Sequence, residues 1–135
     1  KIEWIEAETL KGKDFDDLQS FDAAIVPGGF GNRGTEEMIK AIEIFRTEQI
    51  PFLGICLGMQ LACIEFARNV CHLLSANSTE LDETVNHPVI FKLRDLLNQN
   101  NLGGTMRLGA FPCELKEGSQ AHQIYLNHKL ISERH

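Results

Sequence analysis

Short apolar runs alternate with longer amphipathic stretches in the first half of the chain. The apolar run from Phe21 to Val26 ends at a Pro-Gly-Gly sequence, which predicts a buried strand followed by a loop. Helical spacing of apolar side chains over residues 35–45, with acidic residues in the first turn, predicts a helix that Thr35 can cap. A second apolar run at 52–55 precedes a helical pattern at 57–70. This order of strands and helices implies parallel strands with right-handed crossovers.

Outside these stretches the pattern is weaker. Residues 2–5 resemble the start of a strand, and residues 87–91 predict another strand. Residues 93–97 suit a short helix or a loop. Gly103-Gly104 marks a turn before the apolar run 106–111.

Composition narrows the class of protein. The chain has 135 residues, 43% of them hydrophobic, which suits one small soluble globular domain. A net charge of −6 argues against nucleic acid or an anionic membrane as the main partner. No apolar stretch approaches the roughly 20 residues of a membrane helix, and the N-terminus lacks the apolar region of a signal peptide. We therefore expect a cytoplasmic protein.

Cysteine usage points to reduced thiols. The four cysteines lie at positions 56, 63, 71 and 113, and no two form a CxxC pair, so a zinc site is not expected. Cys63 and Cys71 are better explained by packing than by chemistry.

The strongest chemical signal is the run Gly54-Ile55-Cys56-Leu57-Gly58, where a predicted strand leads directly into a predicted helix. With serine in place of cysteine, this arrangement is the nucleophile elbow of α/β hydrolases. The glycines permit a tight turn, which presents Cys56 at the carboxyl edge of the sheet. The helix N-terminus favours a thiolate there. The alternative is that Cys56 is a small buried apolar residue.

A glycine-rich loop, Pro27-Gly28-Gly29-Phe30-Gly31, follows the other predicted strand at the same edge. Backbone amides in such a loop approach a substrate closely and, with the amide of Leu57, can form an oxyanion hole. A plain turn is the simpler reading of this loop. A phosphate-binding loop is disfavoured because the GxxxxGK[ST] spacing and lysine are missing.

Two further polar side chains are candidates for this site. Gln60 lies one helical turn after Cys56, so its amide can face the same pocket. Glu80 is a loop carboxylate to which spacing alone assigns no role. The five histidines have no spacing that marks a catalytic base.

Taken together, the motifs resemble the glutaminase domain of the CTP synthase family. The elbow alone indicates a class I glutamine amidotransferase. The Asn-Ser-Thr-Glu and Gly-Gly-Thr-Met-Arg-Leu-Gly runs narrow the resemblance to the CTP synthase family. It implies an α/β fold, a three-layer sandwich with a mostly parallel, flavodoxin-like central sheet. The segments that carry it are 27–34, 51–60, 76–80, 103–109 and 132–135.

The resemblance also implies roles for individual residues. Cys56 is expected to attack the side-chain amide of glutamine, forming a thioester and releasing ammonia, while the amides of Gly29 and Leu57 hold the oxyanion. A carboxylate at Glu80 suits the substrate's α-amino group. The positions expected to bind or border glutamine are Gly28, Phe30, Gln60 and Glu80.

Partners follow from the same resemblance. Ammonia is expected to pass to a synthetase domain of the same polypeptide, which uses ATP and Mg²⁺ to aminate UTP to CTP. GTP is expected to act as an allosteric activator, and its effect is expected in the loop Phe30 to Gly34. No cofactor or metal is expected in the glutaminase domain itself, and the full enzyme is expected to be a homotetramer.

The resemblance places further parts of the domain outside the sequence given. A His-x-Glu pair, the base and its orienting acid, is expected beyond residue 135, and another strand and helix before Lys1. We therefore expect residues 1–135 to be an incomplete amidotransferase domain that is not competent alone. The alternatives are another class I amidotransferase or thiol hydrolase on this fold, and a non-catalytic regulatory module.

Overall fold

Two compact units make up the chain, Lys1–Leu96 and Leu97–His135, and each is described by itself. The computed structural model describes residues 1–12, 14–91 and 110–134. The predictions for residues 93–97 and for the turn at Gly103-Gly104 lie outside the described residues, as does most of the apolar run 106–111.

The first unit contains three α-helices, two short 3-10 helices and four strands among its described residues. The α-helices are α1 (Asp14–Asp17), α2 (Thr35–Thr47) and α3 (Leu57–Asn69), and the 3-10 helices span Ala7–Thr9 and Leu18–Ser20. The strands are β1 (Ala24–Val26), β2 (Phe52–Gly54), β3 (Ala76–Ser78) and β4 (His87–Ile90). The predicted helices at 35–45 and 57–70 and the strands at 21–26, 52–55 and 87–91 are confirmed, with bounds that differ by a few residues.

Strands β1 and β2 pair in parallel, in a register that joins Ala24 to Phe52 and Val26 to Gly54. This confirms the prediction of parallel strands joined by a crossover helix. Helices α2 and α3 pack together and against β2. In the middle of the two strands, Ile25 and Leu53 are 63% and 55% exposed, whereas Val26 is buried.

Two clusters of buried side chains use different residues of α2. The first joins α2 and α3 to β1 and consists of Val26, Ile39, Ile42, Leu57, Leu61 and Ile64. The second joins α2 to the N-terminal segment and consists of Leu10, Phe15, Leu18, Ala41 and Phe45. Because each large apolar side chain contributes about 1.5–3 kcal/mol when buried, these clusters hold β1, β2 and both helices in one arrangement.

The second parallel pair, β3 and β4, carries an irregularity between Asn77 and Ser78. Strand β3 was not predicted, because it has three residues and a polar sequence. Its start is tied to α3, since Nε of Arg68 donates to the carbonyl oxygen of Ala76 at 2.7 Å.

The second unit is an antiparallel pair, β5 (Ala110–Glu114) and β6 (Leu130–Arg134), with helix α4 (Gln120–Ile124) between them. Ser119 caps α4 by accepting a hydrogen bond from the amide of His122 at 3.1 Å. The sequence pattern predicted neither α4 nor β6, because both are short and lack a clear periodicity.

Two local predictions are wrong. Residues 2–5 form no strand: Ile2 and Trp4 are 80% and 88% exposed, and an alternating segment becomes a strand only beside a free sheet edge. Thr35 does not cap α2. The cap is Gly34 with φ 67°, and Thr35 is instead the buried first residue of the helix.

Among the described residues, no helix is long and apolar enough to cross a membrane.

Candidate active site

Cys56 lies at the junction between β2 and α3 with φ 52° and ψ −108°. A side chain other than glycine in such a conformation costs on the order of 1–3 kcal/mol, and strained residues of this kind cluster at functional sites. Cys56 is exposed, so the alternative of a buried apolar cysteine is wrong. The strand–cysteine–helix turn predicted from the sequence is present.

The two flanking glycines are required because backbone segments meet there. A Cβ on Gly54 would lie 2.6 Å from the carbonyl carbon of Gly58. A Cβ on Gly58 would overlap the carbonyl oxygen of Val26 and lie 2.9 Å from its carbonyl carbon. That oxygen is held in place, since it accepts the amide of Ile55 at 2.9 Å. The glycines of the elbow therefore allow α3 to begin directly above the end of β1.

The glycine-rich loop lies against Cys56 and Leu57. A Cβ on Gly28 would be 3.3 Å from Cβ and 3.9 Å from Sγ of Cys56, and a Cβ on Gly29 would be 3.3 Å from Cδ2 of Leu57. The expected proximity of the two loops is confirmed, because the carboxyl ends of paired parallel strands lie at one edge. Phe30, the next residue, is 82% exposed.

Gln60 and Glu80 occupy different elements. The amide of Gln60 donates to the carbonyl oxygen of Cys56 at 3.1 Å, in the first turn of α3. Glu80 is exposed in the turn after β3, where its amide donates to Oγ of Ser78 at 3.1 Å. No hydrogen bond between described residues joins the side chain of Glu80 to Cys56.

A direct link between the glycine-rich loop and the Glu80 turn comes from Asn32, which sequence reasoning missed. Its Nδ2 donates to the carbonyl oxygen of Leu81 at 3.0 Å. The two residues are 49 positions apart, so no spacing rule could have paired them.

The same loop is tied to the N-terminal segment by Arg33. Its guanidinium donates two hydrogen bonds to the carboxylate of Glu8, one of them from Nε at 3.0 Å. These hydrogen bonds lower the pKa of Glu8 and raise the pKa of Arg33. Gly34 packs closely on this segment, since a Cβ there would be 3.0 Å from Cβ of Ala7. The loop is therefore held from two directions.

The other thiols of the first unit are not in the core. Cys63 and Cys71 are exposed, and Sγ of Cys63 contacts Sδ of Met59 at 3.9 Å. The packing expected of these two cysteines is therefore at the surface and not in the core. Within residues 1–12, 14–91 and 110–134, no three His, Cys, Asp or Glu side chains are placed to hold a metal ion.

Comparison with known proteins identifies the class. The family model described as Glutamine amidotransferase class-I matches residues 1–134. The chain therefore belongs to the class I glutamine amidotransferase family.

Its relatives narrow the comparison to CTP synthases. The chain is 52% identical over 136 residues to the CTP synthase of Acidobacterium capsulatum, covering 100% of this chain and 25% of the relative. It is 49% identical over 135 residues to that of Streptococcus thermophilus, covering 99% and 25%. The chain thus spans about a quarter of the length of these curated relatives.

A solved structure shares the fold. It is the glutaminase domain of Trypanosoma brucei CTPS with bound acivicin, with a TM-score of 0.88 and 34% identity. The match covers 100% of this chain and 52% of that chain. This confirms the α/β, flavodoxin-like fold class expected from the sequence and the resemblance to the glutaminase domain of CTP synthases.

Proposed function

We propose that Cys56 is the nucleophile with which this domain hydrolyses glutamine. The observation that carries the proposal is the strained, exposed Cys56 at the strand–helix junction, with the Gly28-Gly29 loop against it. Its sulfur attacks the side-chain carbonyl carbon of glutamine to give a tetrahedral oxyanion. Collapse of this intermediate breaks the C–N bond and releases ammonia. Water then hydrolyses the thioester to glutamate and restores the thiol.

The backbone around Cys56 supplies the electrostatic part of this mechanism. We assign the oxyanion to the amides of Gly29 and Leu57, because the glycine-rich loop meets the start of α3 at these two residues. Removing one such donor typically costs about 100- to 1,000-fold in rate. A general base must take the thiol proton, and no described residue is assigned that role.

Four positions are assigned to the substrate itself. Glu80 is proposed to pair with the α-amino group of glutamine and Gln60 to bind its amino acid part, while Gly28 and Phe30 border the pocket. The acivicin in the Trypanosoma brucei neighbour supports a glutamine site, since acivicin is a glutamine analogue.

For the whole protein we propose glutamine-dependent synthesis of CTP. The support is the identity to CTP synthases that are about four times as long as this chain. Ammonia passes to the synthetase domain of the same polypeptide, where ATP and Mg²⁺ drive amination of UTP. GTP acts as an activator through the loop Phe30 to Gly34. The enzyme is proposed to be a cytoplasmic homotetramer.

Labelling of the full-length protein with acivicin tests the nucleophile. The expected result is a covalent adduct on Cys56, located by peptide mass spectrometry. An adduct only on Cys63, Cys71 or Cys113 would contradict the assignment.

Substitution separates glutamine hydrolysis from CTP synthesis. Cys56→Ala is expected to abolish CTP formation from glutamine and to leave CTP formation from free ammonia intact. Cys63→Ala is the matched control, because that thiol is exposed on the same helix. It should retain both activities. Loss of both activities in Cys56→Ala would show that Cys56 has a structural role instead.

A further inference from the structure

Asn32 links the glycine-rich loop to the turn that contains Glu80. In the proposed function, these two segments bind opposite ends of glutamine. Its side chain donates to the carbonyl oxygen of Leu81 at 3.0 Å, and Leu81 directly follows Glu80. Asn32 itself lies just after the glycine-rich loop. Its own carbonyl oxygen accepts the hydroxyl of Thr35 at 3.0 Å, which fixes the Asn32 backbone at the start of α2.

The acceptor side of this bond is equally ordered. The amides of Leu81 and Asp82 donate to the carbonyl oxygen of Ser78 at 3.1 and 2.9 Å. Ser78 is fully buried, and the side chain of Leu81 packs against the core cluster that contains Val26. The carbonyl oxygen of Leu81 is therefore held by its own turn, and the bond from Asn32 connects two segments that are each already fixed.

We infer that Asn32 is a positioning residue for glutamine recognition, acting through Glu80. The inference rests on the proposed function. The Asn32–Leu81 hydrogen bond sets the separation between the oxyanion amides beside Cys56 and the carboxylate that receives the α-amino group. An amide side chain suits this task because a carbonyl oxygen can only accept. Aspartate has the same shape but no donor.

Magnitudes separate this role from a merely structural one. An exposed hydrogen bond contributes little to the free energy of unfolding, so its loss should hardly change the unfolding temperature. In contrast, a misplacement of about 1 Å between groups that position a substrate can cost about 100-fold in rate. The informative readout is therefore substrate recognition.

The test compares two reagents on Asn32→Asp in the full-length protein. Acivicin requires the amino acid site, whereas iodoacetamide alkylates an accessible thiol without it. We expect the rate of Cys56 alkylation by acivicin to fall about tenfold or more, within the loss allowed by misplacement. Alkylation by iodoacetamide should stay within about twofold, as should CTP formation from ammonia. Asn127→Asp is the control for added charge, because Asn127 is exposed in the other unit.

A double-substitution cycle shows whether Asn32 acts through Glu80. In a Glu80→Ala background, Asn32→Asp should cause little further loss of acivicin reactivity, because the group that it positions is gone. Additive losses would overturn the inference, and so would an equal loss with both reagents. If the unsubstituted protein reacts with acivicin at Cys56 and Asn32→Asp reacts equally fast, only the inference fails. If the unsubstituted protein does not react at Cys56, the proposed function fails and the inference with it.

Discussion

Gly58→Ala tests whether the contact between α3 and β1 is as close as the structure shows. The added methyl group would lie less than 3.0 Å from two Val26 atoms, the carbonyl oxygen and carbon, a separation that Cβ atoms essentially never show. Because the Val26 carbonyl oxygen is bonded to the amide of Ile55, it cannot move aside without weakening that hydrogen bond. Helix α3 must instead shift away from the sheet.

Three contributions set the expected cost of Gly58→Ala. Overpacking of a filled interior costs about 1–3 kcal/mol. Weakening the bond between Ile55 and Val26 adds about 1 kcal/mol. Alanine is the better helix former and returns about 1 kcal/mol. The net loss is therefore about 2 kcal/mol in the free energy of unfolding, which corresponds to a fall of about 5–10 °C in Tm for a domain of this size.

Urea and thermal unfolding of the purified protein measure this loss, and acivicin labelling reports the site. We expect labelling of Cys56 to slow as well, because a shift of α3 moves Cys56 away from Gly28. Met59→Ala is the matched control, since Met59 is the next residue on the helix and is exposed. A Gly58→Ala protein within about 0.5 kcal/mol of the unsubstituted one, smaller than any of these contributions, would refute the reasoning.

The remaining predictions concern two ion pairs. The carboxylate of Glu65 is 1% exposed and accepts hydrogen bonds from Nε and Nη2 of Arg46. Arg46→Met should therefore lower the free energy of unfolding by about 2 kcal/mol. This loss is below the range for fully buried ion pairs because Arg46 is 35% exposed. In urea unfolding, Arg46→Met/Glu65→Leu should recover most of that loss, and a double variant as unstable as the single one would contradict this account. The hydrogen bonds from Arg33 lower the pKa of Glu8 below its ordinary 4.5. The Glu8–Arg33 pair therefore stabilises the folded state fully above pH 4.5, and this stabilisation is lost as pH falls through the lowered pKa. Urea midpoints of Glu8→Gln and the unsubstituted protein should therefore differ at neutral pH and converge in acid; a constant difference would exclude Glu8 as the cause.

The elbow shows how much local sequence can determine. Gly54, Cys56 and Gly58 are within five residues, and their conformations follow from backbone sterics that any strand-to-helix turn must satisfy. The same holds for α2 and α3, whose apolar spacing specifies both the helix and its buried face. Parallel pairing then placed the glycine-rich loop beside Cys56.

Contacts between distant residues required the tertiary structure. The bond from Asn32 to Leu81 joins residues 49 positions apart, and its formation depends on where α2 begins and β3 ends. Arg46 and Glu65 form an ion pair although they lie on different helices, and the local sequence around neither residue indicates burial.

The sequence by itself thus determined the strand–cysteine–helix turn at Cys56, the parallel pair that presents this residue and the family. These features depend on backbone sterics, apolar periodicity and short motifs, each of which involves residues close together in the sequence. Only the tertiary structure decided that residues 2–5 form no strand, that Gly34 and not Thr35 caps α2, and that Asn32 reaches the Glu80 turn. Each depends on which partner groups come within hydrogen-bonding distance, and that is a property of the packed chain.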